Sequence, residues 1–290
     1  MDEIDLQIIR IFLINSRIPY RELAEKIGLS VGAVHKRVQN LVDNNVIINF
    51  IAHPSYSFFN AIPVYIFGTS KLQSFEGILD KLEEDPYANF LAISSGNYLY
   101  LITVLKNISD MANIAHNLSN ICKINDPLIL INNYQYQKVI GTLSKIDYQI
   151  IKSLNRNSRK TVSEVADETG LSSKTVSKHI NNMITNNLIT FTIEFQPIYE
   201  NDIITVFHAN ILNNNNMKDI INKIHLHIPK NLLYIRTYSN FPLMLTIHVS
   251  VNTLNNITHF EEILKDIGLK DIVPRIVYNG YYFKSWLDEF

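Results

Sequence analysis

The chain carries an internal repeat, and this repeat limits how the chain can fold. A constant shift of 142 positions aligns residues 4–47 with residues 146–189 without a gap, and 19 of the 44 aligned pairs are identical. Unrelated stretches would share about 3 residues by composition. The period divides the 290-residue chain into two halves, each the size of a pair of small domains. We therefore expect two similar halves, each with its own core.

The composition is that of a folded protein without long disordered segments. Apolar residues make up 47% and charged residues 18% of the chain. The single cysteine, Cys122, excludes an intramolecular disulfide framework and is expected to be a buried structural thiol. The N-terminus lacks the basic start and apolar block of a secretory signal, and no uncharged apolar run reaches the roughly 18 to 20 residues of a membrane span. We expect a cytoplasmic protein with no membrane partner.

Each copy of the repeat predicts three short helices. In the first copy, Asp2 or Asp5 can cap helix one, Pro19 suits the start of helix two and Gly28 its end, and Ser30 can cap helix three. The apolar residues of helix three recur at i, i+4 and i+7 and share one face. In the two copies these residues are Val34, Val38 and Leu41, and Val176, Ile180 and Met183. This pattern is typical of a helix-turn-helix.

The helix-turn-helix geometry places the last helix in the DNA major groove, while the helix before it crosses the phosphates. Lys36 and Lys178 occupy the same outward position in both copies, where a lysine can contact a phosphate or a guanine edge. We call these two units the first and second readers. The residues expected to contact DNA are, in the first reader, Arg17, Arg21, Gly32, His35, Lys36, Arg37 and Gln39 and, in the second reader, Arg159, Lys160, Ser173, Lys174, Ser177, Lys178 and Asn181.

The two reading faces differ in sequence and in charge. Gly32, His35 and Gln39 of the first reader are matched by Lys174, Ser177 and Asn181 of the second, so the two halves of a bound site need not be alike. Residues 1–53 carry six basic and six acidic side chains, and residues 143–196 carry seven and five. We therefore expect modest, salt-sensitive affinity for double-stranded DNA. Two alternatives stay open, namely that the helices serve as packing modules and that the whole chain is a scaffold that binds no DNA.

After each reader the pattern changes to alternating strands and helices. The residues after the third helices, 46–50 and 188–195, are rich in β-branched and aromatic side chains and predict a wing or a linking strand. The first half then predicts strands at 62–69, 90–95, 98–104 and 128–136, with helices at 74–84 and after Ser109 or Asp110. The second half predicts strands at 203–212, 232–237, 243–251 and 272–283, with helices at 217–224 and 257–267. This is the βαββαβ order of a ferredoxin-like domain.

The predicted fold is therefore α+β, with two winged helix-turn-helix domains alternating with two ferredoxin-like domains. The expected domains are residues 1–53, 54–140, 141–196 and 197–290.

This arrangement resembles the Lrp/AsnC (feast/famine) family of transcriptional regulators. The elements that carry the resemblance are Ile4-Asp5, Ile8-Ile9, Glu22-Leu23-Ala24, Gly28-Leu29-Ser30, Val34, Arg37 and Val46-Ile47. The resemblance implies that ferredoxin-like domains associate in pairs, so the tandem chain is similar to a dimer in one polypeptide and is expected to self-associate through these domains. It also implies a small-molecule effector at the turn Gly96, Asn97 and Tyr98, although the acid that the family usually carries there is absent.

An enzyme on the same layout is the alternative function. Siroheme decarboxylases resemble this arrangement, and the resemblance implies that a histidine and arginines act on carboxylate side chains of a tetrapyrrole. Arg236 and the segment from Phe241 to His248 are the corresponding residues here, but 47–50 lacks the expected arginines. The histidines His208, His225, His227 and His248 are expected to be structural or solvated. We expect no catalytic residue, no metal and no cofactor.

The C-terminal residues 278–286 carry a cluster of aromatic side chains. Few basic residues interleave with them, so a packing or subunit surface is expected there.

Overall fold

The first half of the chain folds into a three-helix unit followed by an α/β unit in the computed structural model, which describes residues 1–196, 203–212 and 216–289. The three-helix unit consists of α1 (Glu3–Ile14), α2 (Tyr20–Ile27) and α3 (Val31–Asp43) and leads into β1 (Ile47–Pro54) and the short α4 (Tyr56–Phe59). The α/β unit consists of β2 (Ile62–Thr69), α5 (Glu76–Glu83), β3 (Ala88–Ser94), β4 (Tyr98–Leu105), α6 (Met111–Ile121) and β5 (Leu128–Ile131).

The second half repeats this order. Its three-helix unit consists of α7 (Lys145–Leu154), α8 (Val162–Thr169) and α9 (Ser173–Thr185), followed by β6 (Ile189–Phe195). Its α/β unit consists of β7 (Ile203–Ile211), α10 (Met217–His227), β8 (Leu232–Thr237), β9 (Met244–Val251), α11 (Leu254–Asp266) and β10 (Leu269–Tyr282). The bounds of α8 and α9 are those of α2 and α3 shifted by 142. The first residues of the predicted domain 197–290 lie outside the described residues.

The caps predicted for the reader helices α1, α3 and α9 are present, whereas Asp110 at the start of α6 makes no capping hydrogen bond with its side chain. The Asp2 carboxylate accepts hydrogen bonds from the backbone N–H groups of Ile4 and Asp5, and the Ser30 hydroxyl accepts one from that of Ala33. Ser172 caps α9 in the same way. These contacts satisfy backbone donors that a helix start leaves without intrahelical partners.

The helices α3 and α9 are the recognition helices of the two readers, and the turn after each contains a left-handed residue. Asn45 and Asn187 both adopt a φ of 55°. Asparagine tolerates this conformation better than most residues, which fits the recurrence of Asn44-Asn45 as Asn186-Asn187 in the second copy. The turn directs the chain from the recognition helix into β1 or β6.

Strands β1 and β6 join the two readers. They pair antiparallel, with Ile51 opposite Thr192 and Ala52 opposite Phe191. The sequence predicts a wing or a linking strand in each half, and the structure shows that each strand finds its partner in the other half. The two readers therefore share one two-stranded sheet.

The ferredoxin-like order is confirmed in both halves. The strands lie side by side as β5-β2-β4-β3 in the first unit and as β10-β7-β9-β8 in the second, and all their pairings are antiparallel. Two helices of each unit pack on one face of its sheet and bury an apolar core that includes Leu82, Leu91 and Leu101 in the first unit and Phe207, Ile220 and Leu264 in the second. Cys122 is fully buried in the first core, as predicted, and burial raises its pKa to about 12.

One long strand merges the two units into a single eight-stranded sheet. The first part of β10 pairs with β7 of its own unit, and its last part, Val277 to Tyr282, pairs with β3 of the other unit. The remaining edges also meet, because Asn132 bridges to Tyr238 and the N–H of Asn133 donates to the carbonyl of Thr237 at 2.9 Å. The sheet closes on itself, and its inner face encloses a space.

The structure differs from the sequence prediction at the end of β5 and in the segment that precedes β2. Strand β5 ends at Ile131 and not at residue 136, because the chain leaves β2 there and crosses to β8. Helix α4 was not predicted, since four residues are too short for a periodic pattern. At the C-terminus, Phe283 and Trp286 are buried, and the Trp286 indole donates to the carbonyl of Val104 at 2.7 Å, which fits the predicted packing role.

The left-handed turn gives a stability prediction. Replacing Asn45 by Ala should lower the free energy of unfolding by about 1 kcal/mol, because alanine disfavours a positive φ. Urea denaturation measures this change. Asn45→Gly is the matched control and should leave the stability close to that of the parent, since glycine accepts this conformation. Equal losses in both variants would show that the side chain of Asn45, not its backbone conformation, matters.

Candidate nucleic-acid interface

The outward faces of both recognition helices are open to solvent. On α3 the exposed residues are Gly32, His35, Lys36 and Gln39, and on α9 they are Ser173, Lys174, Lys178 and Asn181, with Ser177 half-buried. The inward residues Val34 and Val176 are fully buried, so the hydrophobic stripe holds each helix against its own unit. The polar faces are thereby left free to meet a ligand.

The lysines of these faces, Lys36, Lys174 and Lys178, have no ion-pair partner among the described residues. By comparison, the Gln39 amide donates to the Asp43 carboxylate at 2.7 Å, and the His35 ring lies 4.2 Å from that of Tyr20. A lysine that is exposed and unpaired can neutralise a phosphate without breaking a contact inside the protein.

The structure places Arg37 differently from the DNA contact expected from the sequence. Its guanidinium lies 2.8 Å from the carboxylates of both Asp2 and Asp5 and so ties α3 to the start of α1. The hydrogen bond to Asp5 raises the pKa of Arg37. The second reader has the equivalent contact, since His179 lies 2.8 Å from Asp147. The position therefore orients the recognition helix in both readers.

Arg17 and Arg159 are also engaged inside the protein. The Arg17 guanidinium donates to the backbone carbonyls of Ser158 and Lys160, and the Arg159 guanidinium donates to those of Ser16 and Ile18. The hydroxyls of Ser16 and Ser158 share a hydrogen bond of 2.7 Å between them. Each member of this set is related to another by the shift of 142. We call Ser16, Arg17, Ser158 and Arg159 the inter-reader clasp.

The clasp lies on the pseudo-twofold axis between the readers. Arg159 stacks on the Tyr20 ring at 4.0 Å, and Arg17 lies 5.8 Å from the Phe191 ring centre. Burial lowers the pKa of both arginines, and the neighbouring charge of Arg159 lowers that of Arg17 further. The sequence predicts phosphate contacts for these two residues, but their guanidinium groups point into the contact between the readers. Sequence reasoning missed the clasp, although the repeated Asn-Ser-Arg at 15–17 and 157–159 was visible.

The other two predicted phosphate contacts differ in accessibility. Arg21 is exposed and forms only a surface ion pair with Glu25 at 3.2 Å, which is readily exchanged. Lys160 donates to the carbonyl of Ser153 at 2.8 Å and to the carboxylate of Glu168 at 2.7 Å. Arg21 therefore remains available to a phosphate, whereas Lys160 is engaged within its own reader.

The expected effector turn lies between β3 and β4. Gly96 and Asn97 are exposed and adopt φ values of 73° and 53°. Tyr98 is half-buried, and the Arg275 guanidinium lies 3.6 Å from its ring centre. The turn holds an aromatic ring under a cation, but it offers no acid to an amino group.

A cavity of about 330 Å³ occupies the space inside the closed sheet. Its wall includes Tyr65, Tyr100, Tyr234, Arg236 and His248, which sequence reasoning did not bring together. The signal was the alternation of Tyr234 and Arg236 along β8, which places both side chains on one face of the sheet. The cavity inside the sheet is therefore lined by polar and aromatic side chains.

The histidines of the chain do not converge on a metal site. His225 and His227 are exposed on α10, whereas His208 shares a hydrogen bond of 2.7 Å with the Tyr100 hydroxyl. Burial lowers the pKa of His208 to about 4 and lowers that of His248 well below its usual value. Among the described residues, no group of three or more histidines, cysteines or acids is arranged to hold a metal ion. Nor does any described helix have the length and apolar character needed to cross a bilayer.

The fold and the two exposed recognition helices define a winged helix-turn-helix DNA-binding protein. Residues 1–42 match the family model for the AsnC-type helix-turn-helix domain, and residues 143–190 match the model for winged helix-turn-helix DNA-binding. The chain is 32% identical over 117 residues to the HTH-type transcriptional regulator Ptr1 of Methanocaldococcus jannaschii, which covers 38% of this chain and 76% of Ptr1. It is 28% identical over 120 residues to LrpA of Pyrococcus horikoshii, which covers 40% of this chain and 84% of LrpA. The chain belongs to the Lrp/AsnC family of transcriptional regulators.

A solved structure also shows the tandem arrangement. The crystal structure of the siroheme decarboxylase NirDL aligns with 100% of this chain and 96% of its own, with a TM-score of 0.61 and 13% sequence identity. A second structure of NirDL, in complex with an iron-uroporphyrin III analogue, aligns with a TM-score of 0.60 and 12% identity. At this identity the likeness concerns the fold alone.

The clasp gives a prediction that separates positioning from direct contact. Replacing Arg17 and Arg159 together by Met should weaken binding to a duplex with two half-sites at least tenfold, because linked readers of fixed spacing gain from effective concentration. Binding to a duplex with a single half-site should stay unchanged. Fluorescence anisotropy at matched salt measures both. Equal weakening on both duplexes would instead assign phosphate contacts to these arginines.

Proposed function

We propose that this protein is a DNA-binding transcriptional regulator that reads two unlike half-sites with the two recognition helices of one chain. The observation that carries the proposal is the inter-reader clasp, which joins two readers with exposed polar faces through hydrogen bonds related by a pseudo-twofold axis. A twofold pair of helix-turn-helix units suits two half-sites on one duplex.

The unlike faces support the second part of the proposal. Two identical recognition helices would favour a palindromic site, because they would read the same bases on each side. Here α3 offers Gly32 and His35 where α9 offers Lys174 and Ser177. The longer cation of Lys174 favours phosphate or guanine contacts on its side, whereas Gly32 lets the backbone approach the groove more closely.

The proposal has two further parts. The chain self-associates through its ferredoxin-like domains, and it binds an effector at the turn of Gly96 to Tyr98. The turn is exposed and carries a cation over an aromatic ring, Arg275 over Tyr98, which suits a small polar metabolite. Strand β10 and the contact of β5 with β8 already join the two ferredoxin-like domains inside one chain. Any association between chains therefore uses their outer surfaces.

We do not propose catalysis for this chain. Arg236 and His248, which the sequence suggests for a siroheme decarboxylase-like enzyme, both line the cavity inside the sheet. Two such side chains can hold a ligand carboxylate, which by itself is binding and not catalysis. Residues 47–50 also lack the arginines that such an enzyme is expected to carry.

The lysines provide the direct test of DNA reading. Replacing Lys36 and Lys178 together by Ala should weaken binding to duplex DNA and reduce the slope of log K against log salt by about 1.8, since each lost phosphate contact removes about 0.9. Titrations by fluorescence anisotropy at several salt concentrations measure both quantities. The control variant replaces Lys218 and Lys265, which are exposed on α10 and α11, and so changes the net charge equally. If both variants bind alike, the assigned reading faces are incorrect.

The unlike faces make a separate prediction about the target sequence. Selection of bound duplexes from a random pool should yield a site whose two halves differ. Transferring the outward residues of α3 onto α9, through Lys174→Gly, Ser177→His and Asn181→Gln, should make the selected site more palindromic. A palindrome selected by the parent would contradict the proposal, because the two helices would then read the same bases.

A further inference from the structure

The cavity inside the closed sheet has the size and lining of a small-molecule site. Ligand pockets commonly measure about 300 to 1,000 Å³ and combine apolar walls with a few polar groups. This cavity of about 330 Å³ is lined by aromatic rings that include Tyr65, Phe67, Tyr100 and Tyr234. Its wall does not include the turn of Gly96 to Tyr98, so it is distinct from the effector turn.

Arg236 brings an uncompensated charge to this cavity. Its Nε is buried and has no hydrogen-bond partner, and no acid among the described residues forms an ion pair with it. The guanidinium lies 4.6 Å from the Tyr234 ring centre, and the Tyr234 ring stacks on His248 at 4.2 Å. Cation–π contact stabilises the charge only in part, since it leaves the buried Nε–H without an acceptor.

Several polar groups in the cavity wall and beside it pair with one another. The Tyr238 hydroxyl shares a hydrogen bond of 2.8 Å with Thr246, and His248 lies 3.3 Å from the same Thr246 hydroxyl. The two acids of the wall also have partners. Glu194 pairs with Arg156 at 2.8 Å, and Asp288 accepts from the backbone N–H of Ser285 at 3.0 Å. The described acids of the wall therefore leave the charge of Arg236 without an acidic partner.

We propose that the cavity binds a small molecule with one carboxylate on an apolar body, and that the carboxylate docks on the Arg236 guanidinium. A polar N–H that is buried without a partner costs stability, so the unpaired Nε–H of Arg236 calls for an acceptor that arrives from outside. The planar guanidinium matches a carboxylate with two parallel hydrogen bonds, and the tyrosine rings suit an aromatic or aliphatic body. This inference does not depend on how the readers contact DNA.

Calorimetric titration of the full chain tests the proposal. Phenylacetate and octanoate should bind, and the uncharged phenylacetamide should bind at least tenfold more weakly than phenylacetate. Replacing Arg236 by Met should weaken binding of the acids by about 30-fold or more, as expected when one partner of a buried charge pair is removed. Arg236→Lys should retain part of the affinity. Arg10→Met, which removes an arginine outside the cavity wall, is the matched control and should bind like the parent.

Thermal unfolding without ligand shows whether Arg236 is a structural residue. Arg236→Met should unfold at the same temperature as the parent or a higher one, because it removes a buried N–H donor that has no partner. A large fall in the unfolding temperature would assign the arginine a structural role and overturn the proposal. Equal binding of phenylacetate by parent and Arg236→Met, or no binding of either acid by the parent, would also overturn it.

A separate experiment tests whether the carboxylate that docks on Arg236 belongs to a tetrapyrrole. An iron tetrapyrrole with carboxylate side chains is added to the parent, and its visible absorbance and the release of carbon dioxide are followed. No change in either signal supports a small acid as the ligand. An absorbance shift with carbon dioxide release, together with no binding of phenylacetate or octanoate, would overturn the proposal and favour the enzyme.

Discussion

Two arginines that donate to backbone carbonyls across a pseudo-twofold axis determine how this protein presents its readers. Arg17 donates to the backbone carbonyls on either side of Arg159, and Arg159 donates to those on either side of Arg17. Backbone carbonyls are fixed by the fold, so these bonds depend little on the surrounding side chains. The shared strands β1 and β6 hold the readers a second time, and together the two contacts set the spacing of α3 and α9.

The ferredoxin-like domains extend the same symmetry below the readers. Strand β10 pairs with both units, and the meeting of β5 with β8 closes the sheet. Because the sheet closes, the inner faces of the two ferredoxin-like domains together form the wall of the cavity. Residues of the readers, including Leu13 and His53, also contribute to its wall. A ligand in the cavity would therefore contact strands β1 and β6, which position the readers.

Much of this architecture could be predicted from the sequence, because helix caps, apolar stripes and the shift of 142 are local patterns. The recognition faces and the ferredoxin-like order follow from those patterns. The roles of Arg17, Arg37 and Arg159 could not be predicted, since an arginine is compatible with a phosphate, a carboxylate or a carbonyl, and only the tertiary neighbours decide. The cavity could not be predicted either, because strands that are distant in the chain form its wall.

The covalent link between the halves changes what a single mutation can do. In a symmetric dimer, each substitution appears on both sides of the axis, so a change that suits one half of the target is imposed on the other. In the tandem chain, Arg37 and His179 already differ at one equivalent position, although each binds an aspartate. Each recognition helix can thus vary alone while the clasp keeps the axis. Duplication within one gene frees the two halves to diverge without loss of their alignment.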